Sequence, residues 1–297
     1  MSTAIAAQRA AVTHFAARAG DHNDLAMAGS PAIAAELASR LGAEPVVIGR
    51  PEPALNAGWR LELDTARPAL IEMSRHYDRL LNEGLVPITA LSRCAVALAT
   101  LPVLARHHPD TVVVWFDAHA DINTPDNTTT GYLGGLALSG PLGLWDSGLG
   151  AGLSGANTIL AGARDIDPAE QELIDSGALT LVPPGPDLAV RLAAAVAGRP
   201  VYVHVDCDVL EPGIVATDYH VPGGLTLEDL HDAAEVLAAH RVVGLEIGEF
   251  EADPSPGQTR AAARRVIDAL WPLLRAACHT DRRVGAGRQR QPAPESR

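Results

Sequence analysis

The sequence predicts an α/β protein: a three-layer α/β/α sandwich around one mostly parallel sheet. Three observations carry this. Short β-rich runs alternate with helical patterns along the whole chain, the order that a parallel sheet covered on both faces requires. The run Val112–Phe116 (VVVWF) is continuously hydrophobic, as in a strand buried on both sides. Acidic residues follow that run and the run 201–208 directly, and open α/β folds gather their active sites at the carboxyl ends of strands.

The elements follow in order. The start reads as frayed helix, with residues 12–16 a candidate first strand. Ser30-Pro31 reads as an N-cap with proline at the first helical position, opening a helix over 31–41 that Gly42 stops. Residues 45–49 form a short strand, and the Pro- and Gly-rich stretch 50–60 a loop. An amphipathic helix over 66–83 ends at Gly84, and 85–90 is the third strand. A helix to about Arg106 precedes the central strand. Residues 121–155 form a long Gly-, Thr- and Ser-rich segment, and a loop of that length inside a compact domain is usually functional. Strands over 158–163 and 179–183 and helices over 168–176 and 188–197 follow. After the second acidic strand, Thr226 caps a helix with Asp229 three positions on, a capping box. Residues 242–247 are a strand and 258–277 one long final helix. Residues 1–278 read as a single domain. Residues 279–297 carry five arginines and no apolar period, so they read as a disordered tail.

Composition narrows the function. Of 297 residues, 47% are hydrophobic, enough for a large core. The net charge of −13, with no basic patch in the body of the chain, argues against nucleic-acid binding and suits a cationic small substrate. Three cysteines, Cys94, Cys207 and Cys278, are too few and odd for a disulfide framework, so a reducing, cytoplasmic setting is expected. No apolar run approaches a membrane span, and the N-terminus lacks the apolar core of a signal peptide.

The chemistry lies in two stretches. After Phe116 come Asp117, His119 and Asp121, which in an extended backbone point to one side. In VYVHVDCD, Asp206 and Asp208 share a face while Cys207 points into the core. Four carboxylates and an imidazole make an oxygen-rich set suited to hard or borderline divalent ions such as Mn²⁺. Four crowded acids also repel one another, which argues for two ions. A single acid after a strand is ordinarily a solvated loop residue or a helix cap; two such stretches together are not. His204 reads as core packing or as a group behind the site, and Glu170 and Glu246 as substrate-side or supporting acids.

These motifs resemble the ureohydrolases, the arginase and agmatinase family: Asp117-Ala118-His119-Ala120-Asp121, the pair Asp206/Asp208, Glu249 in GLEIGEFE, DINTP at 121–125, ARDIDPAE at 163–170 and VPGGLT at 221–226. The resemblance implies an arginase-like sandwich and Mn²⁺-dependent hydrolysis of a guanidino group through a metal-bridging hydroxide. It implies one ion held by Cys94, Asp117, Asp121 and Asp206, and another by Asp117, His119, Asp206 and Asp208. Asp121 would carry the proton to the leaving amine and Glu249 would anchor the guanidinium. Asn123, Thr128, Thr130 and Asp167 match arginase positions that hold the α-carboxylate and ammonium, although Asp167 also reads as an N-cap. Relatives are commonly trimers or hexamers, so a homo-oligomer is implied.

Two departures stand out. The family's Gly-Gly-Asp-His-Ser segment, whose histidine is a metal ligand, is Leu91-Ser92-Arg93-Cys94-Ala95 here. A lone cysteine is ordinarily a small buried hydrophobe, but Cys94 stands where the histidine belongs, and a thiolate there shifts metal preference toward softer ions. Arginases also carry a loop histidine where this chain has Gly134, which would leave room for an extra oxygen. Both departures resemble the hydroxyurea-forming Nω-hydroxy-L-arginine hydrolases of antibiotic biosynthesis, which share GYLGG at 131–135 and DVLEPG at 208–213. Three readings follow: hydrolysis of Nω-hydroxy-L-arginine to ornithine and hydroxyurea, hydrolysis of L-arginine to ornithine and urea, or an inactive binding protein of the same fold.

Overall fold

A computed structural model describes residues 9–278; the expected tail at 279–297 lies outside them. The elements are β1 (Ala10–Phe15), α1 (Leu25–Leu41), β2 (Val46–Ile48), α2 (Trp59–Asn82), β3 (Val86–Ala90), α3 (Ala97–His107), β4 (Val112–Phe116), β5 (Thr158–Ala161), α4 (Pro168–Asp175), β6 (Thr180–Val182), α5 (Leu188–Val196), β7 (Val201–Asp206), α6 (Leu227–Ala238), β8 (Val242–Gly248), α7 (Pro256–Ala269) and α8 (Trp271–Ala277). The strands form one all-parallel sheet in the order β2-β1-β3-β8-β7-β4-β5-β6. This is the expected three-layer sandwich.

The strand periodicity divides the core. Val112, Val114 and Phe116 pack with Val201, Val203 and Val205 under α1, α5, α6, α7 and α8. Val113, Trp115 and Tyr202 point the other way, into a second core with α2 and α3. Cys207 belongs to the first core, as its phase predicts.

Three expected helix boundaries differ. The first helix starts at Leu25, not at Pro31: Asn23 Oδ1 accepts the Leu25 N–H at 2.7 Å, and Ser30, instead of capping, is buried with its hydroxyl 2.9 Å from His14 Nε2. The second starts at Trp59, inside the expected loop, where the Trp59 N–H donates to Gly131 O at 2.7 Å and joins the helix to the long active-site segment. The last helix is two, broken at Leu270, because Pro272 has no N–H to continue the ladder. The capping box at Thr226 and Asp229 is present.

Candidate active site

Strand order assembles the site. The strands β3, β8, β7 and β4 are neighbours at the middle of the sheet and run parallel, so their carboxyl ends share one edge. Cys94 opens a short 3-10 turn after β3, Glu249 follows β8, Asp206 ends β7 with Asp208 in the next turn, and Asp117 follows β4. Side chains far apart in sequence therefore converge.

The local mechanism of convergence differs from strand alternation. The fourth strand stops at Phe116, and a turn takes over: the His119 N–H donates to Asp117 Oδ1 at 2.7 Å, and Asp121 sits at φ 54°. Glu249 is also left-handed, at φ 57°. Such conformations cost a non-glycine residue roughly 1–3 kcal/mol and collect at functional sites. Of the four such residues among those described, Asn56 lies in the segment before α2 and Ala197 ends α5, while the other two are those expected to handle proton and guanidine. The Trp115 indole N–H holds Asp117 Oδ2 at 2.9 Å, the Ala118 N–H holds Asp208 Oδ1 at 3.1 Å, and the Asp208 N–H holds Asp206 Oδ1 at 2.7 Å. Arg164 donates to the carbonyls of Asp208, Val209 and Val221, pinning the loop after β7.

Among the described residues, three groups of side chains bring ligand atoms within 4.8 Å of one another: Cys94 with Asp117 and Asp121, Cys94 with Asp206 and Glu249, and Asp117 with His119 and Asp208. All six expected ligands fall within these groups. Glu249 joins Cys94 and Asp206 more closely than its expected place as an anchor implies.

Burial makes this cluster uncomfortable without cations. It raises the carboxyls of Asp117, Asp121 and Asp206 above the usual range, and their mutual negative charge raises them further. Burial and then Asp206 hold the Cys94 thiol well up. His119 is the exception: against burial, contacts at 3.2 Å to Asp117 and to Asp208 push it to about 12, and burial of Asp208 is outweighed by that same imidazolium. Buried thiol, imidazole and carboxylate donors, short of positive charge, fit divalent metal ions.

Behind Cys94 lies a chain of contacts that the sequence did not disclose, although it offered His204 as a group behind the site and Glu246 as a supporting acid. Cys94 Sγ is 3.0 Å from His204 Nε2, and His204 Nδ1 is 2.8 Å from Glu246 Oε1. Glu246 Oε2 accepts from Tyr202 at 2.7 Å and Thr100 at 2.9 Å, and His204 stacks on Trp115 at 3.5 Å. Arg93 was equally hidden. It is fully buried and donates to Glu249 Oε2 at 2.6 Å, Asp21 Oδ1 at 3.0 Å and Glu251 Oε1 at 3.0 Å. A charged residue inside the otherwise small and apolar run after β3 was the available signal.

A cavity of about 150 Å³ opens over the cluster, lined by Cys94, His119, Asp121, Asp206, Asp208 and Glu249, together with Asn123, Thr130, Gly134, Asp165, Asp167, Glu170, Tyr132 and Tyr219. Asn123 Nδ2 donates to Asp167 Oδ2 at 2.7 Å, leaving Asn123 Oδ1 a buried acceptor without a partner. Asp167 does cap α4, in a box with Glu170, whose other oxygen holds the Ile122 N–H at 2.9 Å. Thr130 lines the cavity; Thr128, which accepts the Gly131 N–H at 3.1 Å, stabilises the loop and is not among the lining residues. Gly134 lines the cavity, and in the direction a side chain would take there the space is held by Tyr132: a Cβ would lie 2.3 Å from Tyr132 Cε1. Aromatic rings crowd this wall, with His22 4.3 Å from Tyr132 and Tyr219 5.0 Å from His119.

A metal-binding cluster of this kind, at the carboxyl edge of an all-parallel sheet, marks a metal-dependent hydrolase of the α/β class. The chain belongs to the arginase family, whose model matches residues 47–271. It is 38% identical over 260 residues to the N(omega)-hydroxy-L-arginine amidinohydrolase of Streptomyces lavendulae, covering 88% of this chain and 95% of that one. Arginase-1 of Sus scrofa is 30% identical over 203 residues, 61% of this chain and 62% of that protein. Among solved structures, Bacillus subtilis arginase superposes with a TM-score of 0.77 at 19% identity, covering 90% of this chain and 98% of that one.

Proposed function

We propose that this protein hydrolyses Nω-hydroxy-L-arginine, water cleaving the guanidino C–N bond to give L-ornithine and hydroxyurea. The observation that carries this is the near-full-length match to a protein of that named activity, combined with side-chain clusters that hold all six expected metal-ligating residues. Two divalent ions, Mn²⁺ in this reading, would be held by Cys94, Asp117, His119, Asp121, Asp206 and Asp208 and would supply an activated water and Lewis acidity.

The chain's own residues do the rest. Asp121, in its left-handed turn, is the group placed to accept a proton and return it to the leaving δ-amine. Glu249 faces the cavity and receives the guanidine N–H groups. Asn123 Oδ1, the orphaned acceptor, takes an N–H of the α-ammonium, with the Asp167 carboxylate beside it. Thr130 is placed to meet the α-carboxylate from the loop.

An assay that separates hydroxyurea from urea tests the reading, with Nω-hydroxy-L-arginine and L-arginine each supplied with Mn²⁺. Hydroxyurea as the favoured product supports it; urea formed faster from L-arginine replaces it with an arginase. No turnover of either, with no metal bound after purification without chelator, leaves an inactive binding protein.

A further inference from the structure

We propose that Arg93 makes this cavity select a neutral guanidine over a guanidinium cation, by spending the negative charge of Glu249 before substrate arrives. The inference rests on the reading of the site given above and names what distinguishes its substrate from L-arginine.

Glu249 is the carboxylate placed to meet a guanidine in the cavity, and both of its oxygens are already engaged. Oε2 takes Arg93 Nη1 at 2.6 Å, and Oε1 takes the Cys94 N–H at 2.8 Å. An ionised carboxylate has about four acceptor sites, so hydrogen-bonding capacity remains for substrate N–H groups. Its charge, however, is compensated by a guanidinium with no solvent exposure of its own. A substrate guanidinium entering the cavity meets that fixed positive charge across the shared carboxylate, in surroundings where charge is poorly screened.

The other partners of Arg93 do not cancel this. Asp21 and Glu251 pair with its Nε and Nη2 rather than with the Nη1 that holds Glu249, Asp218 lies farther from that Nη1, at 3.9 Å, and none of the three is among the residues lining the cavity.

The chemistry of the two substrates matches the bias. An alkylguanidinium keeps its proton at any physiological pH. An N-hydroxy substituent withdraws electron density and makes the guanidine a much weaker base, so a neutral form is accessible near neutrality. Neutral N-hydroxyguanidine retains the N–H donors that the free acceptor sites of Glu249 need, and it escapes the repulsion. Arg93 thus acts through Glu249 and is a positioning residue, not a catalytic one. Selectivity arises by placing a charge against the competitor.

Calorimetric binding of L-arginine and L-citrulline to the metal-loaded full chain tests this without requiring turnover. The two ligands share their amino-acid end and their length; one is a cation and the other neutral. In the natural protein L-arginine is expected to bind less than about tenfold more tightly than L-citrulline. In Arg93→Met the ratio should move toward L-arginine by about tenfold or more, and Arg93→Lys, which keeps the charge, should restore the natural ratio. A natural protein that prefers L-arginine by tenfold or more overturns the inference, as do an unmoved ratio in Arg93→Met, a Lys variant that behaves like Met, or no binding of either ligand. If Arg93→Met fails to fold, the ratio in the natural protein still decides. Hydroxyurea release, measured separately, shows whether the underlying reading of the reaction has failed instead.

Discussion

Cys94 Sγ and His204 Nε2 lie 3.0 Å apart, and that contact ties the site's thiol to the buried pair of His204 and Glu246. His204 is therefore a support for the thiol that sits in two of the candidate metal groups. His204→Phe would keep the stack on Trp115 but leave Glu246 buried without its imidazole partner. The expected cost is about 3–5 kcal/mol of stability. Metal affinity should also fall roughly 10–100-fold, as when a group that orients a ligand is removed. Thermal unfolding in chelator and metal titration by calorimetry read the two effects separately.

The metal-free protein should be more stable in mild acid than in mild base. The folded-state values of Asp117, Asp121, Asp206 and Asp21 are raised above the unfolded value of 3.8. Their stabilising contribution is complete below that value and is lost as pH rises through the folded values, about 6 for Asp21. The lowered Asp208 contributes above 3.8 and loses this only at lower pH, and His119, raised to about 12, begins to lose its own as soon as pH rises past its unfolded value of 6.5. Between about pH 5.5 and 8 the raised acids and His119 act with the same sign; of the roughly 3 kcal/mol that the shift of Asp21 represents over its full range, only about 1 kcal/mol falls inside this window. Melting in chelator at the two ends of that window should give the higher Tm at the acid end. Mn²⁺ added at pH 8 should remove the difference; a higher chelator Tm at pH 8 would refute the argument.

Much of this arrangement was written locally. The run Val112–Phe116 and the acids behind it declare a buried strand with a site at its end, because strand burial and residue type are visible without knowing any neighbour. Gly42 and the Thr226 box mark helix ends for the same reason. Ser30 misled because a hydroxyl before proline looks like a cap, whereas its partner is His14 on an adjacent strand. Arg93 and Tyr132, and the contacts of His204, were hidden for a related reason. A buried arginine is defined by three acids at positions 21, 249 and 251, and nothing in its own flanks announces them.

Removing one hydroxyl should stabilise the protein. The phenol oxygen of Tyr132 is buried and has no hydrogen-bond partner among the described residues. Leaving such a group unsatisfied costs about 1–3 kcal/mol. Tyr132→Phe keeps the ring against His22 and deletes the orphan, so the ligand-free protein should gain up to that amount in chemical denaturation. A loss of stability would mean that the hydroxyl is satisfied in solution.

Gly134 and Tyr132 should behave as a matched pair. A Cβ at position 134 would lie 2.3 Å from Tyr132 Cε1, 2.8 Å from Cζ and 3.0 Å from the hydroxyl oxygen, so the ring and any side chain there compete for one space. Gly134 is not among the glycines at positive φ, so alanine meets no backbone penalty and its effect reports the clash alone. The ring cannot retreat toward His22, whose centroid is already 4.3 Å away, and it must swing toward the cavity that it helps to wall. Gly134→Ala should therefore raise KM for the guanidino substrate by about tenfold, some 1.4 kcal/mol of lost binding. Metal content should match the natural protein, since position 134 belongs to none of the three ligand groups. In a Tyr132→Ala background the same change should cost almost nothing, because the ring it displaces is gone. That non-additivity in a double-mutant cycle is the decisive readout; equal costs in both backgrounds would show that Gly134 acts on the substrate directly.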